Sequence, residues 1–453
     1  MKENTPAHSL SLPQDNLARQ AVDICRTLHD KGHRALLAGG CVRDLLLGKT
    51  PADYDIATSA TPEEIQPLFR KTRPVGIQFG VILVIINGTP YEVATFRKDG
   101  HYLDGRRPES VSFSNEQEDA FRRDFTINAL FYDPLAGELL DYVDGRTDLE
   151  GEILRAVGDP VARFREDRLR LLRAVRFAAR FGYALEEKTF QAMKDEKEGI
   201  RTVKVERIRE ELIRMFTEGN ADQALELLDE SGLLEIVLPE VSSLKNVEQP
   251  PEFHPEGDVF VHTRLALSFL PQKPSAALAL GVLFHDLGKP HTSRFHDGRI
   301  RFHGHALEGA DIAWEICQRL RMSNKLTERI VWLVEHHMKI HVFPDMRVHK
   351  KKQLMREEGF RELLALARCD SLASHGDLSV IEEVEAWCRK QREEELSPPP
   401  LITGDDLIAL GYKPDERFRS MLQAVEEAQL DGLLRDKGDA LTFVEKHYPR
   451  TEK

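Results

Sequence analysis

Two acidic residues, Asp53 and Asp55, flank a tyrosine in the stretch LLAGGCVRDLLLGKTPADYDIAT, residues 36–58. On a strand, side chains two apart share a face. Two carboxylates so placed repel unless a cation bridges them, and Mg²⁺ takes such hard oxygens together with phosphate. The pair suits two-metal phosphoryl transfer, in which the ions activate a 3′-hydroxyl and neutralise departing pyrophosphate. Upstream, Gly39 and Gly40 lack side chains that would keep backbone N–H groups from a triphosphate at a helix start. A solvated acidic turn and an ordinary strand end are the bland alternatives for each feature alone.

A second constellation lies in RFREDRLRLLRAVRFAARF, residues 163–181. Asp167 and Arg170 are three apart, which on a helix sets them side by side. The carboxylate accepts from an exocyclic amine, and the guanidinium donates to a ring nitrogen or carbonyl. Cytosine and adenine offer an amine beside an acceptor, whereas uracil and guanine offer a carbonyl beside an N–H. One Asp/Arg pair can therefore select C and A without a template; the alternative is a salt bridge on a solvated helix face. Arg170, Arg173, Arg176 and Arg180 recur at three- and four-residue spacing, opposite Leu171, Leu172, Val175, Phe177 and Ala178. The stripe suits phosphates of a nucleotide or RNA, or acids on neighbouring helices. We expect a mixture, with Arg173 nearest the nucleotide.

These side chains need a scaffold. A helix over 16–31, a strand over 34–38, a Gly-Gly turn, a helix over 42–47 and a strand over 53–58 carry the acids. Thr61 and Pro62 open a further helix as N-cap and first residue. The β-rich runs 79–86 and 91–96 flank Asn87-Gly88, a hairpin signal. Beyond residue 150 the period becomes helical. Proline-containing patches at 248–258 and 397–400 divide the rest. The expected fold is α+β: a head with a small mixed sheet at 1–145, then helical parts at 146–250, 255–395 and 400–453.

With 453 residues, 41% of them hydrophobic and 31% charged, the chain reads as a soluble globular protein of several cores. No apolar run is long enough for a bilayer, and residues 1–16 lack a secretory core. Cys25, Cys41, Cys317, Cys369 and Cys388 are scattered without CxxC spacing, which points to reduced thiols and a cytoplasmic protein. The net charge of −13 argues against a nucleic-acid partner only as a whole-molecule sum, since binding depends on local patches.

The pattern GGxVRDxLLGxxPxDxDxxT resembles the signature of the bacterial CCA-adding enzyme and poly(A) polymerase family, within the polymerase-β-like nucleotidyltransferases. The resemblance runs from residue 36 to about residue 240. It implies that Asp53 and Asp55 are Mg²⁺ ligands and catalytic acids, that Gly40 belongs to the triphosphate loop, and that Arg43 and Asp44 support it. Glu92 in YEVATFR is either a third carboxylate or a strand-surface acid. RRDFTINAL, residues 122–130, resembles the second family motif, in which Arg123, Asp124 and Asn128 contact ribose and phosphates. Glu166 to Arg170 fits EDxxR, the base-selecting motif, and VERIREEL (205–212) resembles a motif that braces the nucleotide-binding helix. The implied partners are the tRNA 3′ end, CTP and ATP.

The segment RKDGHYLDGRRPESVSF, 97–113, resembles the flexible loop of enzymes that complete CCA. Residues 73–84 lack the more basic sequence associated with poly(A) polymerases. Complete CCA addition therefore stands first, with A-only or poly(A) addition as the alternative.

A separate set comprises His262, His285-Asp286, His305, His337 and Asp370. His285-Asp286 in LGVLFHDLGK, with an earlier His and a later Asp, resembles the HD metal-dependent phosphohydrolases. Imidazoles with carboxylates suit Mn, Ni, Co or Fe, and a metal so held lowers the pKa of a water for attack on a phosphoester. His303 competes with His305 for its place, and His336 with His337. Lys289 is placed to steady phosphate. The set implies a bound transition metal and a secondary hydrolase activity. A different reading makes the chain primarily an HD phosphohydrolase whose head is an RNA-binding platform.

Overall fold

The computed structural model describes residues 10, 12–76, 79–99, 111–250, 257–296 and 299–449. Contacts divide the chain into two compact units, residues 1–242 and 243–453.

In the first unit, seven strands form one mixed sheet: β1 (Ala35–Ala38), β2 (Asp55–Thr58), β3 (Thr72–Gly76), β4 (Val81–Ile86), β5 (Thr89–Thr95), β6 (Phe131–Asp133) and β7 (Glu138–Leu140). Their order is β3-β4-β5-β2-β1-β6-β7, and only the β2–β5 pair is parallel. The β4–β5 hairpin turns through Asn87 and Gly88, both at positive φ. That is the requirement of a type I′ turn, which explains the Asn-Gly dipeptide. Helices α1 (Asn16–His29) and α2 (Gly40–Leu46) flank the sheet, and α1 buries Ala21, Ile24, Cys25 and Leu28 in its core. The turn Pro62–Ile65 opens with the expected cap, here a full capping box between Thr61 and Glu64.

The helical part of this unit contains α3 (Pro160–Glu166), α4 (Arg170–Phe181) and α5 (Val205–Thr217). A continuous helix through 163–180 is not formed. Asp167 is extended (φ −138°, ψ 103°) and its Oδ1 accepts the Leu169 N–H, a local side-chain bond that competes with helix.

The second unit is helical around α7 (Ala276–Phe284), flanked by α6 (Val259–Ser268), α8 (His305–Arg319), α9 (Asn324–His336) and α10 (Phe360–Ala373). AALALGVLF has no polar face, and its residues from Ala277 onward are buried, as a central helix requires. Residues 402–444 close a small separate core containing Leu407, Tyr412, Met421 and Val444. Two short β pairs interrupt the part expected to be purely helical: Ile153–Leu154 with Ala184–Leu185, and Arg294–His296 with Arg299–Arg301. The second pair flanks Asp297-Gly298, a hairpin dipeptide whose signal the helical periodicity around it had hidden.

Candidate functional site

The acidic site sits on the surface of the sheet. Strand β2 begins at Asp55, so Asp53 stands just ahead of it rather than on it. Sharing of one face survives this shift, because burial alternates: Tyr54 and Ile56 are buried, while Asp53 and Asp55 face solvent. Parallel pairing of Ile56 with Val93 sets Glu92 on β5 beside Asp55. Protein packed around Asp55 partly desolvates it, and together with Glu92 and Asp53 this pushes its pKa up to about 6, against an opposing pull from Arg123. Three carboxylates in mutual repulsion make an all-oxygen donor set that a hard divalent cation relieves, so these residues fit Mg²⁺.

Gly39, rather than Gly40, carries the backbone constraint. Gly39 has φ +71°, and a Cβ there would lie 2.7 Å from Arg123 Nη1. At Gly40 a Cβ would make only ordinary contact with Arg43. Arg43 is buried, donates through Nε and Nη2 to Asp44 Oδ1 (2.9 and 2.7 Å), and reaches Asn128 Oδ1 at 2.5 Å. Asn128 Nδ2 donates to Asp124 Oδ1 at 3.2 Å, and Asp124 Oδ2 accepts from Arg173 Nε and Nη2 at 2.8 and 2.6 Å. Beyond Arg173 the alternation continues through Glu211, Arg176, Glu218 and Arg180. Burial alone would raise the Asp124 carboxyl, but Arg173 and Arg170 hold it down at about 2. Arg123 is fixed by Asp119, which also binds Arg122.

The arginine stripe is therefore satisfied by acids, Arg176 and Arg180 wholly from α5 and Glu218 just beyond it. The bracing expected of VERIREEL is visible as Glu211 against Arg173 and Arg176. The helix expected to set Asp167 and Arg170 side by side is broken, and the mutual salt bridge that was the alternative to base selection is not formed. With the helix broken at Asp167, Asp167 and Arg170 do not bridge: Asp167 accepts both guanidinium nitrogens of Arg207 (3.1 and 2.8 Å), and Arg170 donates to Glu166 at 2.7 Å. Sequence reasoning missed Asp119, and it held Arg207 and Glu211 only as members of the bracing segment VERIREEL. Arg207 and Glu211 are four apart in VERIREEL, a spacing that marks one helix face. Residues 100–110 of the 97–113 loop lie outside the described residues.

The histidine site is assembled by the second unit. Gly288 allows the start of α8 to come against the residues after α7, since a Cβ there would lie 2.1 Å from the His305 carbonyl oxygen. Two trios result: His262, His285 and Asp370, and Asp286, His305 and His337. Asp286 stands between them, with Oδ2 3.2 Å from His285 Nε2 and Oδ1 3.7 Å from His305 Nε2. His262 Nε2 lies 3.1 Å from Asp370 Oδ1, and the Nε2 atoms of His305 and His337 are 3.1 Å apart. Each of His285, His305 and His337 spends Nδ1 on a backbone carbonyl, of Val282, Phe302 and Val334 respectively. That bond fixes the tautomer and leaves Nε2 with its lone pair inward. Burial, reinforced by His285, pushes His337 down to about 3 and keeps it neutral. The donor set fits a borderline transition metal. His305 and His337, not His303 and His336, complete the cluster; His336 instead stacks on Trp332. His341, not anticipated, approaches Asp370 at 3.3 Å. A cavity of about 440 Å³ opens on the cluster, with Lys289, Arg301, His341 and Met338 in its wall.

Residues 35–155 match the poly A polymerase head domain, 182–245 the probable RNA and SrmB-binding site of polymerase A, and 254–375 the HD domain. The chain is 46% identical over 231 residues to a CCA-adding enzyme of Lactobacillus helveticus, covering 51% of this chain and 57% of that one. It is 42% identical over 216 residues to one of Bacillus pumilus, covering 48% and 54%. It thus spans just over half the length of these curated relatives. Among solved structures, the Bacillus stearothermophilus CCA-adding enzyme in complex with CTP aligns with TM-score 0.72 at 26% identity over 96% of this chain and 98% of that one. The Thermotoga maritima CCA-adding enzyme complexed with tRNA-CCA shares the fold, with TM-score 0.61 at 19% identity over 96% of each chain.

Proposed function

We propose that this chain is a nucleotidyltransferase of the poly(A) polymerase and CCA-adding kind, and that it adds C and A from CTP and ATP to the 3′ end of tRNA without a template. The observation that carries the reading is the acid cluster of Asp53, Asp55 and Glu92 beside the ordered ladder from Arg43 to Arg173. Asp53, Asp55 and Glu92 would hold Mg²⁺, which when bound would supply activation of the 3′-hydroxyl and charge neutralisation at the pyrophosphate. Gly40, Arg43 and Arg123 form the cradle for the triphosphate. Asp124 and Asn128, locked by Arg173, fix the ribose. Asp167 and Arg170 present their remaining acceptor and donor capacity to the base edge, each held by its own partner rather than by the other. The first 145 residues are the catalytic head, 146–250 the selecting and RNA-binding part, 255–395 the HD part and 400–453 a helical tail. Five unpaired cysteines favour the reducing cytoplasm.

Primer extension on tRNAs ending before CCA, after C and after CC, with CTP and ATP supplied separately, tests the assignment. Incorporation of both nucleotides in order is expected. Incorporation of A alone, only after CC, would replace it with A-only addition, and unlimited A with poly(A) synthesis. Survival of incorporation in both Asp53→Ala and Asp55→Ala would leave the HD hydrolase reading in first place.

The histidine cluster supports a second activity, hydrolysis of phosphoesters at a Mn, Ni, Co or Fe centre. The six ligands would hold the metal, which when bound supplies an activated nucleophile at neutral pH. Metal analysis finding no ion, together with no turnover of phosphomonoesters or 2′,3′-cyclic phosphates in Mn²⁺ or Ni²⁺, would remove this activity.

A further inference from the structure

We propose that Gln249 orients phosphate in the histidine site, holding Lys289 with its amide oxygen and offering its amide NH₂ to a phosphoryl oxygen of the ligand. The inference rests on the phosphohydrolase reading of that site and deepens it. Gln249 is 5% exposed and precedes Pro250, which lines the cavity. Its Oε1 accepts from Lys289 Nζ at 2.6 Å. An ammonium only donates, so this contact fixes the amide's orientation and makes Nε2 the donor at its other end. Nε2 is buried and has no hydrogen-bond partner among the described residues. A buried donor without an acceptor is disfavoured, and its persistence points to an acceptor that arrives with a ligand.

The neighbours say what that ligand is. Lys289 Nζ lies 2.7 Å from Asp286 Oδ2, so two of its three N–H groups face Gln249 and Asp286, leaving a third. Arg301 and His375 add further donors to the cavity wall. An anion with several oxygens can take the third N–H of Lys289 and the Gln249 NH₂ together. Gln249 lies ahead of residues 254–375, outside the segment matched to the HD domain.

The test uses the full chain and inorganic phosphate as probe, titrated calorimetrically into wild type, Gln249→Glu and Gln249→Leu, each metal-free and Mn²⁺-loaded. Gln249→Glu keeps an acceptor for Lys289 but replaces the donor by a repelling oxygen. It should bind Mn²⁺ at wild-type stoichiometry, weaken phosphate binding about tenfold or more, and raise KM for p-nitrophenyl phosphate with kcat within about threefold. Gln249→Leu should weaken phosphate similarly; should it fail to fold, the Glu variant decides. Phosphate affinity of Gln249→Glu within twofold of wild type, with hydrolysis intact, overturns the role of Gln249 alone. Absence of both phosphate binding and hydrolysis in wild type overturns the hydrolase reading and this inference together.

Discussion

The carboxylates of the first unit come from one short stretch and the adjoining strand β5, and they face solvent from a sheet surface. The ligands of the second are gathered by five helices and the turns after them, from residue 262 to residue 370, and most are buried. The first site gathers its acids at a sheet surface, where desolvation, Glu92 and Asp53 raise Asp55 to about 6, and sets paired arginines beside them. The second buries most of its donors: burial lowers the pKa of His305 and His337, and the Nδ1 atoms of His285, His305 and His337 are committed to carbonyls. Hard oxygen donors tolerate solvent and exchange a weakly held cation with each substrate. Buried imidazoles hold a softer metal in one arrangement. On the proposed function, the first site would take an exchangeable ion and the second a resident one.

The largest effect that would break this contrast is loss of the open carboxylates. Asp55→Ala should lower nucleotide incorporation roughly 10³-fold while leaving the metal content of the histidine site unchanged, as read by primer extension and elemental analysis of one preparation. Parallel loss of both would show that the sites are not independent.

The paired surroundings of the first site come next. Arg173→Met strands the buried Asp124 carboxylate and should cost about 3 kcal/mol in denaturant unfolding. Asp124 titrates at about 2 folded, against about 3.9 unfolded. Its depressed pKa contributes stability that is fully present above pH ~4 and lost as pH falls towards ~2. Arg173→Met should flatten that part of the acid-stability profile; an unchanged profile would show that the pair does not hold Asp124.

Gly39→Ala sharpens the comparison at the backbone level. Positive φ and the approach of Arg123 predict a loss of about 2 kcal/mol, while Gly40→Ala should fall within about 1 kcal/mol, the ordinary scale for Gly against Ala. Equal effects would remove the special place of Gly39. Arg207→Ala, which removes a partly buried pair with Asp167, should cost only about 1 kcal/mol. Its functional signature should be larger: freeing Asp167 should relax discrimination against UTP in misincorporation assays. Unchanged selectivity would show that Arg207 does not position Asp167.

Much of this was legible before folding. Asn87-Gly88 dictated its hairpin, and Thr61-Pro62 its cap, because both act within a few residues. The acids of Asp53-Tyr54-Asp55 shared a face as their spacing required, although Asp53 lies ahead of the strand. The His262, His285, Asp286 and Asp370 set converged, joined by His305 and His337.

What the sequence determined by itself were the local choices: turn chemistry, helix starts, and the residue types capable of holding a cation. Which charges find each other was decided by the tertiary structure. Asp167 and Arg170 were expected side by side on one helix, yet Asx bonding at Asp167 interrupts that helix, and Arg207 and Glu166 hold the two side chains. Gln249 carries no local signal at all; it matters only because packing brings its amide to Lys289 and leaves the other end without an acceptor among the described residues. Spacing fixes geometry along a single element, whereas pairing depends on which elements meet and on how much water they exclude.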